Sequence, residues 1–378
     1  MDKGSNGSTR TSDVVLVTGF PAFTARRLAH KVLESDSKAR VFLLSRARFQ
    51  KAAEELCAEL APPRRKRVEI LTGDVCDMDL GLAADEFRRV AAETTVIQHA
   101  AGVYSTGVSK EATLRINVEG TRRALELAAE CARLRRFCHF STTQVSGTRK
   151  GVVLEDELDC GQSFFSAYEE SKFQAERLVQ GASRRIPVSI FRPGIIVGDS
   201  QTGEIDKFDG PYYLIVLIVN SRLDVPLPLP GRGSAPLHLA PIDFVIDAAQ
   251  RLANDERAVG KTFHLVDPCP LAARTVYELI AHRAHKKAPR GVIPTGLARA
   301  ILRTPGVERL ARAPRAFLES FNHMAFYNAR NTLDLLRGTD IWCPPLEGYV
   351  DNLIRFVRDV HAARKARLEE EVFDPFDG

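Results

Sequence analysis

Runs of apolar residues and amphipathic stretches alternate through the first half of the chain. The apolar runs, each short enough for a strand, cover residues 14–19, 39–46, 67–74, 94–102, 135–147 and 187–198. The stretches between them, the longest at 112–134, repeat apolar residues at helical spacing. Because the strand-like runs are apolar almost throughout, they predict a parallel sheet with helices on both faces. Right-handed connections then make the fold class α/β, with a doubly wound parallel sheet.

The pattern loosens after residue 198, where prolines cluster in "DVPLPLPGRG". This change predicts one domain over residues 14–198 and a smaller, mostly helical substrate-binding region over 199–361. Within that region we expect residues 235–268 to return to the first domain. The polar residues 1–13 are predicted to be a disordered lead, and residues 362–378 a flexible tail.

Charge and cysteine content narrow the class of protein. The net charge is only +5, yet six arginines stand against one glutamate in residues 289–316. That segment predicts either a site for acidic ligands or membranes, or an ordinary solvated face, and nothing indicates nucleic acid. Seven cysteines without a C-x-x-C pair predict reduced thiols, no metal and a cytoplasmic protein. The longest apolar run, at 212–219, is too short to span a membrane.

The stretch "VTGFPAFTARRL" at 17–28 lies where a strand leads into a helix, as in a phosphate-binding turn. Gly19 stands where the chain must turn sharply, but Ala22 and Ala25 occupy positions where such turns carry glycine. Alone, the stretch is as consistent with a packing turn as with a nucleotide site. As a nucleotide site, its candidate cofactor contacts are Thr18, Gly19, Pro21, Ala22 and Phe23.

The ends of the second and third strands add candidate contacts. "VFLLSR" ends in Ser45 and Arg46, with Arg48 nearby and no acid. A guanidinium suits a ribose 2′-phosphate, so this end favours NADPH over NADH, unless the arginine is merely solvated. Asp74, followed by Val75, could accept a hydrogen bond from adenine or cap the next turn.

The pair Tyr168 and Lys172 in "YEESK" indicates proton transfer most strongly. Four residues apart on a helix, the two side chains share one face. A nearby ammonium favours the phenolate and lowers the pKa of a tyrosine toward neutrality. The pattern alone also occurs in ordinary helices, but here it follows a strand that ends in the hydroxyl-rich "STTQVSG".

With these motifs in order, the chain resembles the extended short-chain dehydrogenase/reductase family over residues 13–270. The matching stretches are "VTGFPAFTARRL", "LTGDV", "HAAG", "NVEGT", "FSTTQVSG", "YEESK" and "RPGIIVGDS". The resemblance implies a Rossmann domain in which Thr142 holds the substrate oxygen and Tyr168 transfers the proton. Lys172 would bind the nicotinamide ribose, and Asn117 would support Lys172 through a water. The cofactor would further contact Ala100, Ala101, Gly102, Pro193, Gly194 and Ile195.

Within that family the chain is most similar to the thioester-reductase and fatty-acyl-CoA-reductase (male sterility) branch. "FLLSR", "RPGIIVGDSQTGEID" and "LLRGTDIWCPP" carry this resemblance. It implies an NADP(H)-dependent reductase of a carbonyl or acyl thioester, with a lipid-like or polyketide acyl group on coenzyme A or an acyl carrier protein. The run 212–219 would wall the substrate cleft or belong to the core. The family often dimerises, so a homodimer is also expected.

Other functions stay open at this point. Thr143 and Gln144 stand where sugar-nucleotide dehydratases carry acids, which argues against a dehydratase. A 3β-hydroxysteroid or alcohol dehydrogenase and a sugar-nucleotide epimerase remain alternatives. A non-catalytic NADP-binding sensor or scaffold is a third, because of Ala22 and Ala25.

Overall fold

A seven-stranded parallel sheet forms the centre of the fold. The computed structural model describes residues 12–104, 108–208, 212, 215, 216, 218, 229, 230, 232–288, 291–293 and 323–372. The strands of this sheet are β1 (Val14–Phe20), β2 (Arg40–Ser45), β3 (Val68–Thr72), β4 (Val96–His99), β5 (Arg136–Phe140), β7 (Val188–Pro193) and β11 (Thr262–Leu265). Their order is β11-β7-β5-β4-β1-β2-β3. The predicted doubly wound α/β sheet is confirmed.

Short strands pair outside this sheet. They are β6 (Gly151–Val153), β8 (Ile195–Val197), β9 (Leu229–Pro230), β10 (Leu239–Pro241), β12 (Val292–Ile293) and β13 (Ala325–Tyr327). The pairs are β8 with β10, β9 with β12 and β6 with β13, and all three are parallel.

Helices connect the strands and continue after them. Their bounds are α1 (Phe23–Ser35), α2 (Gln50–Ala58), α3 (Pro62–Arg65), α4 (Ala84–Glu93), α5 (Lys110–Leu114), α6 (Gly120–Glu130), α7 (Ala167–Ala182), α8 (Ile242–Ala253), α9 (Ala273–Arg283), α10 (Arg330–Leu336) and α11 (Val350–Val372). No helix in the described part of the chain is long and apolar enough to cross a membrane.

The chain forms two compact units. The first contains the described residues up to 104 together with 109–140 and 174–190. Its core consists of apolar side chains of β1 to β5 and β7 and of the helices that cover them, including Leu16, Phe42 and Ile97. Each of these side chains is 1% exposed or less. Burial of one such side chain contributes about 1.5–3 kcal/mol, which stabilises the strands against one another.

The second unit contains residues 141–173 and the described residues from 191 onward. Its largest core cluster joins α9 and α11 to described members of the run 212–219. Tyr212 is fully buried, and its hydroxyl accepts a hydrogen bond from the Gly198 N–H at 2.6 Å. The sequence left two possibilities for this run, a wall of the substrate cleft or part of the core. Its described members belong to the core.

A buried carboxylate joins distant segments of the second unit. Glu155 follows β6 and accepts hydrogen bonds from the backbone N–H groups of His264 and Asn331 and from the Thr332 hydroxyl, at 2.6–3.0 Å. Burial raises its pKa, and these hydrogen bonds oppose the shift. Because Asn331 and Thr332 begin α10, the carboxylate also lies at the positive end of that helix.

Several sequence predictions fall partly outside the described residues. Of the basic segment 289–316 only 291–293 are described, and of the lead 1–13 only residues 12 and 13. Asp13 accepts a hydrogen bond from Arg135 Nε at 2.9 Å. Helix α11 continues to Val372, so most of the predicted tail is helical.

We predict that Glu155→Ala lowers the free energy of unfolding by about 3 kcal/mol, because it leaves buried backbone N–H groups without an acceptor. Urea unfolding followed by circular dichroism measures the change. The neighbouring Asp156 is exposed, so Asp156→Ala should change stability by less than about 0.5 kcal/mol. Equal losses from the two substitutions would contradict the anchoring role of Glu155.

Candidate functional site

The turn after β1 brings the first predicted cofactor residues against the loop after β4. Gly19 has a φ of +91°, and a Cβ atom there would lie 2.9 Å from the Ala101 backbone. Both facts require glycine. The Ala101 N–H donates to Thr18 Oγ1 at 3.2 Å. Thr18 and Gly19, at the end of β1, thus pack against Ala101 in the loop after β4.

Helix α1 begins directly after this turn and presents its N-terminal end. Ala22 is the N-cap; in the described residues no side chain caps the helix, and its first turn carries no acid. Unpaired N–H groups at such an end attract phosphate. Ala22 is exposed and Ala25 is 1% exposed. The Ala25 methyl group is accommodated in the packing under α1, so the turn fits a dinucleotide without the two glycines.

Two arginines follow the end of β2 and share one aromatic ring. The guanidinium carbons of Arg46 and Arg48 lie 5.3 and 4.6 Å from the centre of the Phe49 ring. Such cation–π contacts hold a guanidinium in place and leave its N–H groups available. Arg46 also lies 4.0 Å from the Asp74 carboxylate. Ser45, just before, is 1% exposed.

The turn after β3 is organised by Asp74. Its Oδ1 accepts the Cys76 N–H at 3.0 Å, which is the capping role that the sequence left open for it. Val75 is 8% exposed and packs against Gly120, where a Cβ atom would lie 2.9 Å from the valine side chain. Val75 is therefore part of the packing between this turn and α6.

A chain of buried hydrogen bonds runs from the end of β1 to the helical segment that carries Asn117. The Thr121 hydroxyl donates to the Asn117 carbonyl at 2.7 Å, so it accepts from His99 Nε2 at 3.0 Å. His99 Nδ1 lies 2.9 Å from the Thr18 hydroxyl and forms a hydrogen bond with it. His99 is 1% exposed. The buried ring thus connects the end of β1 to α6 through two hydrogen bonds.

Asn117 lies in a π-helical segment, Arg115–Glu119, between α5 and α6. Such segments recur at functional sites because they rotate one residue out of the helical register. The Asn117 side chain accepts the Val103 N–H at 2.8 Å and donates to the Val103 carbonyl at 3.2 Å. Its amide therefore holds the chain that follows the "HAAG" loop.

Thr142 begins the turn after β5, in the second unit. Its Oγ1 accepts the Gln144 N–H at 3.2 Å and caps the 3₁₀ turn Thr143–Ser146. Thr142 is 6% exposed. The hydroxyl hydrogen is not used in this cap, because the oxygen acts as the acceptor.

Tyr168 and Lys172 lie in the first turns of α7. The Glu169 N–H donates to Ser166 Oγ at 3.2 Å, and the Glu169 carboxylate accepts the Phe165 N–H at 2.8 Å. This arrangement resembles a capping box and fixes where the helix begins. Lys172 is 5% exposed, and Tyr168 is half-buried.

The "RPG" turn between β7 and β8 packs against His238. The Ile195 N–H donates to the His238 carbonyl at 2.8 Å, and a Cβ atom on Gly194 would lie 2.3 Å from that oxygen. Only glycine fits there. Pro193 ends β7.

Arg192, one residue earlier, contacts a second buried histidine. Its guanidinium is fully buried and donates to the Glu157 carbonyl at 2.8 Å and to His264 Nε2 at 3.2 Å. His264 Nδ1 donates to the Asn328 carbonyl at 2.6 Å. Burial and, secondarily, Arg192 lower the pKa of His264 to about 3, so its ring is neutral.

The predicted site residues are thus distributed over both units. Those in the first unit are Thr18, Gly19, Pro21, Ala22, Phe23, Ser45, Arg46, Arg48, Asp74, Val75, Ala100, Ala101, Gly102 and Asn117, and those in the second are Thr142, Tyr168, Lys172, Pro193, Gly194 and Ile195. Sequence reasoning missed His99, His238 and His264, since lone histidines carry no spacing signal. It also missed the "SAYE" capping signature at Ser166–Glu169, which was there to find. Among the described residues no cluster of His, Cys, Asp or Glu could hold a metal ion.

We predict that His264 makes the protein less stable as the pH falls. The unfolded chain takes up a proton near pH 6.5, whereas the native ring does so only near pH 3. The contribution of His264 is therefore complete above pH 6.5 and is lost as the pH falls toward 3, by about 1.4 kcal/mol per pH unit. Urea unfolding at pH 4.5–6.5 gives the free energy of unfolding at each pH. The slope of this free energy against pH should be shallower by that amount in His264→Asn than in the wild type. The exposed His282→Asn should keep the wild-type slope, and a wild-type slope in His264→Asn would refute the prediction.

Comparison with known proteins identifies the relatives of this chain. It is 32% identical over 218 residues to glycine betaine reductase ATRR of Emericella nidulans, which is 56% of this chain and 17% of that protein. It is 27% identical over 274 residues to fatty acyl-CoA reductase wat of Drosophila melanogaster, which is 62% of this chain and 52% of that protein. The chain thus spans about half or less of the length of these relatives.

A solved structure agrees with the sequence comparison. The terminal R domain from the myxalamid PKS-NRPS biosynthetic pathway superposes with a TM-score of 0.77 and 26% identity, covering 93% of this chain and 92% of that one. Residues 17–249, more than half of the chain, match the family described as male sterility protein. The resemblance drawn from the motifs is confirmed, and the chain belongs to the NAD-binding male sterility protein family of oxidoreductases, which includes acyl and thioester reductases.

Proposed function

We propose that this protein is an NADPH-dependent reductase of an acyl thioester or a related carbonyl compound. The observation that carries the proposal is the start of α7. Hydrogen bonds of Glu169 with Ser166 and Phe165 fix the first helical turn, which contains Tyr168, and Lys172 is buried one turn later. Family membership supports it, since the relatives are named as reductases. The lipid-like or polyketide nature of the acyl group stays part of the proposal.

The cofactor side rests on the first unit. Thr18, Gly19 and the N-terminal end of α1 would hold the pyrophosphate, and Arg46 and Arg48 would hold the 2′-phosphate. The stacking of both guanidinium groups on Phe49 supports NADPH over NADH, because two cations stand where an NAD site carries an acid. When bound, NADPH supplies a hydride to the substrate carbonyl carbon.

Three residues of this chain act on the carbonyl oxygen of the substrate. The Thr142 hydroxyl donates a hydrogen bond to the developing oxyanion, and Tyr168 donates a proton to it. The Lys172 ammonium stabilises the phenolate that remains. With a thioester, the resulting hemithioacetal collapses to an aldehyde and a thiol, whereas a ketone gives an alcohol directly.

The names of the relatives support two carriers for the acyl group. The acyl-CoA reductase supports coenzyme A, and the PKS-NRPS R domain supports an acyl carrier protein. Reduction of one acyl group presented in both forms, compared by kcat/KM, distinguishes them. Reduction of ketosteroids but of neither thioester would favour the alcohol-dehydrogenase alternative.

We predict that Tyr168→Phe lowers kcat by about 100-fold or more, because the proton donor is lost while the ring is kept. The dissociation constant for NADPH should stay within about twofold of wild type. Stopped-flow loss of NADPH absorbance gives kcat, and calorimetric titration gives the affinity. The exposed Tyr104 provides the control, since Tyr104→Phe should retain wild-type kcat. Full turnover by Tyr168→Phe would refute the proton-transfer role.

We also predict that Arg46→Ser weakens NADPH binding by about 10- to 100-fold and leaves NADH binding nearly unchanged. The lost hydrogen bonds are charge-assisted, and only NADPH carries the 2′-phosphate. Arg40, at the opposite end of β2, pairs with Glu93 and serves as a control. Arg40→Ser should bind both cofactors as wild type does. Tighter binding of NADH than of NADPH by the wild-type protein would contradict the assignment of Arg46.

A further inference from the structure

The turn that Thr142 caps is contacted by a tyrosine from far along the chain. Tyr327, the last residue of β13, places its hydroxyl 3.0 Å from Ser146 Oγ. Ser146 is the last residue of the 3₁₀ turn Thr143–Ser146, so the phenol contacts the turn at its C-terminal end.

The position of this phenol is fixed on several sides. Tyr327 pairs with Val153 across β6 and β13, and the Asn328 N–H donates to the Val153 carbonyl at 2.9 Å. The rings of His238 and His264 meet it nearly edge-on, with centroids 4.7 and 5.4 Å away. Such edge contacts are a favoured geometry for aromatic rings.

The neighbouring histidines are themselves immobilised. His264 is held between Arg192 and the Asn328 carbonyl, and His238 Nε2 donates to the Ala325 carbonyl at 3.1 Å. Burial lowers the pKa of His238 to about 4, so both rings are neutral at pH 7. The phenol is therefore packed between uncharged rings and does not form an ion pair with them.

The chemistry of the phenol indicates that it positions other groups and does not transfer protons. Burial raises its pKa above that of an ordinary tyrosine, so it is protonated at neutral pH. A protonated phenol can donate or accept a hydrogen bond, so it can pair with the Ser146 hydroxyl in either direction. This hydrogen bond restricts the end of the turn at Ser146.

We propose that Tyr327 is a positioning residue for Thr142, whose hydroxyl it orients by holding the turn Thr143–Ser146 at Ser146. The inference rests on the proposed function for its catalytic consequence, and on the contacts above for its structural part. The ring of Tyr327 alone would fill the space between the two histidines. The hydroxyl is therefore the part of Tyr327 through which the segment around β13 acts in the reaction.

The test uses the full chain and removes single oxygen atoms. Tyr327→Phe keeps the ring, and Ser146→Ala removes the partner from the other side. Each should lower kcat about tenfold while the KM for NADPH stays within twofold. The double variant should be no slower than the slower single variant, because both remove the same interaction. Tyr277→Phe is the control. Tyr277 lies in α9 and is buried in the core of the second unit, and this variant should retain wild-type kcat. Wild-type kcat in Tyr327→Phe, or fully multiplicative losses in the double variant, would overturn the proposal.

A second measurement does not depend on turnover. Amide hydrogen exchange of the peptide that covers residues 141–148 should become about tenfold faster in Tyr327→Phe and in Ser146→Ala, but not in Tyr277→Phe. Unchanged exchange in both variants would refute the positioning role even if kcat fell. If the wild-type protein reduced no thioester or ketone, the proposed function would fail, while the exchange result would still decide whether Tyr327 holds the turn.

Discussion

The parallel register of β1 against β4 determines where the candidate cofactor residues of the first unit lie. It pairs Thr18 with His99, so the two side chains form a hydrogen bond where both strands end. The chain then leaves β1 through Gly19, which packs against the Ala101 backbone so closely that no side chain fits. The same histidine reaches Thr121, and through it the Asn117 carbonyl. One register thus sets the turn, the loop after β4 and the start of α6.

In the second unit, buried polar side chains join distant segments through hydrogen bonds. Glu155 gathers backbone groups from β11 and α10, and Arg192 holds His264. Tyr327 contacts the last residue, Ser146, of the turn that Thr142 caps. In a low-dielectric interior, each satisfied group stabilises its partners and each orphaned one is costly. The positions of the loops in this unit therefore depend on these hydrogen bonds.

The stretch from β1 into α1 keeps one of the three glycines expected of a phosphate-binding turn, and it still turns sharply at that glycine. Gly19 is required by a positive φ and by contact with Ala101, and it is retained. Ala22 lies exposed at the N-cap, and Ala25 is accommodated under α1. Methyl groups at those two positions meet milder constraints. The two alanines therefore leave the N-terminal end of α1 uncapped by side chains and without an acid in its first turn.

Sequence alone determined the strands, the sheet class and the family, because apolar periodicity and motif order are local properties of the chain. It also singled out Tyr168, Lys172 and Thr142 as catalytic candidates, which stay predictions. It gave no sign of the contacts of Tyr327, Glu155 or His99. Tyr327 and Ser146 are 181 residues apart, and Glu155 and Thr332 are 177 apart. Only the tertiary structure decided such contacts, because burial and hydrogen-bond geometry exist only once distant segments have packed together.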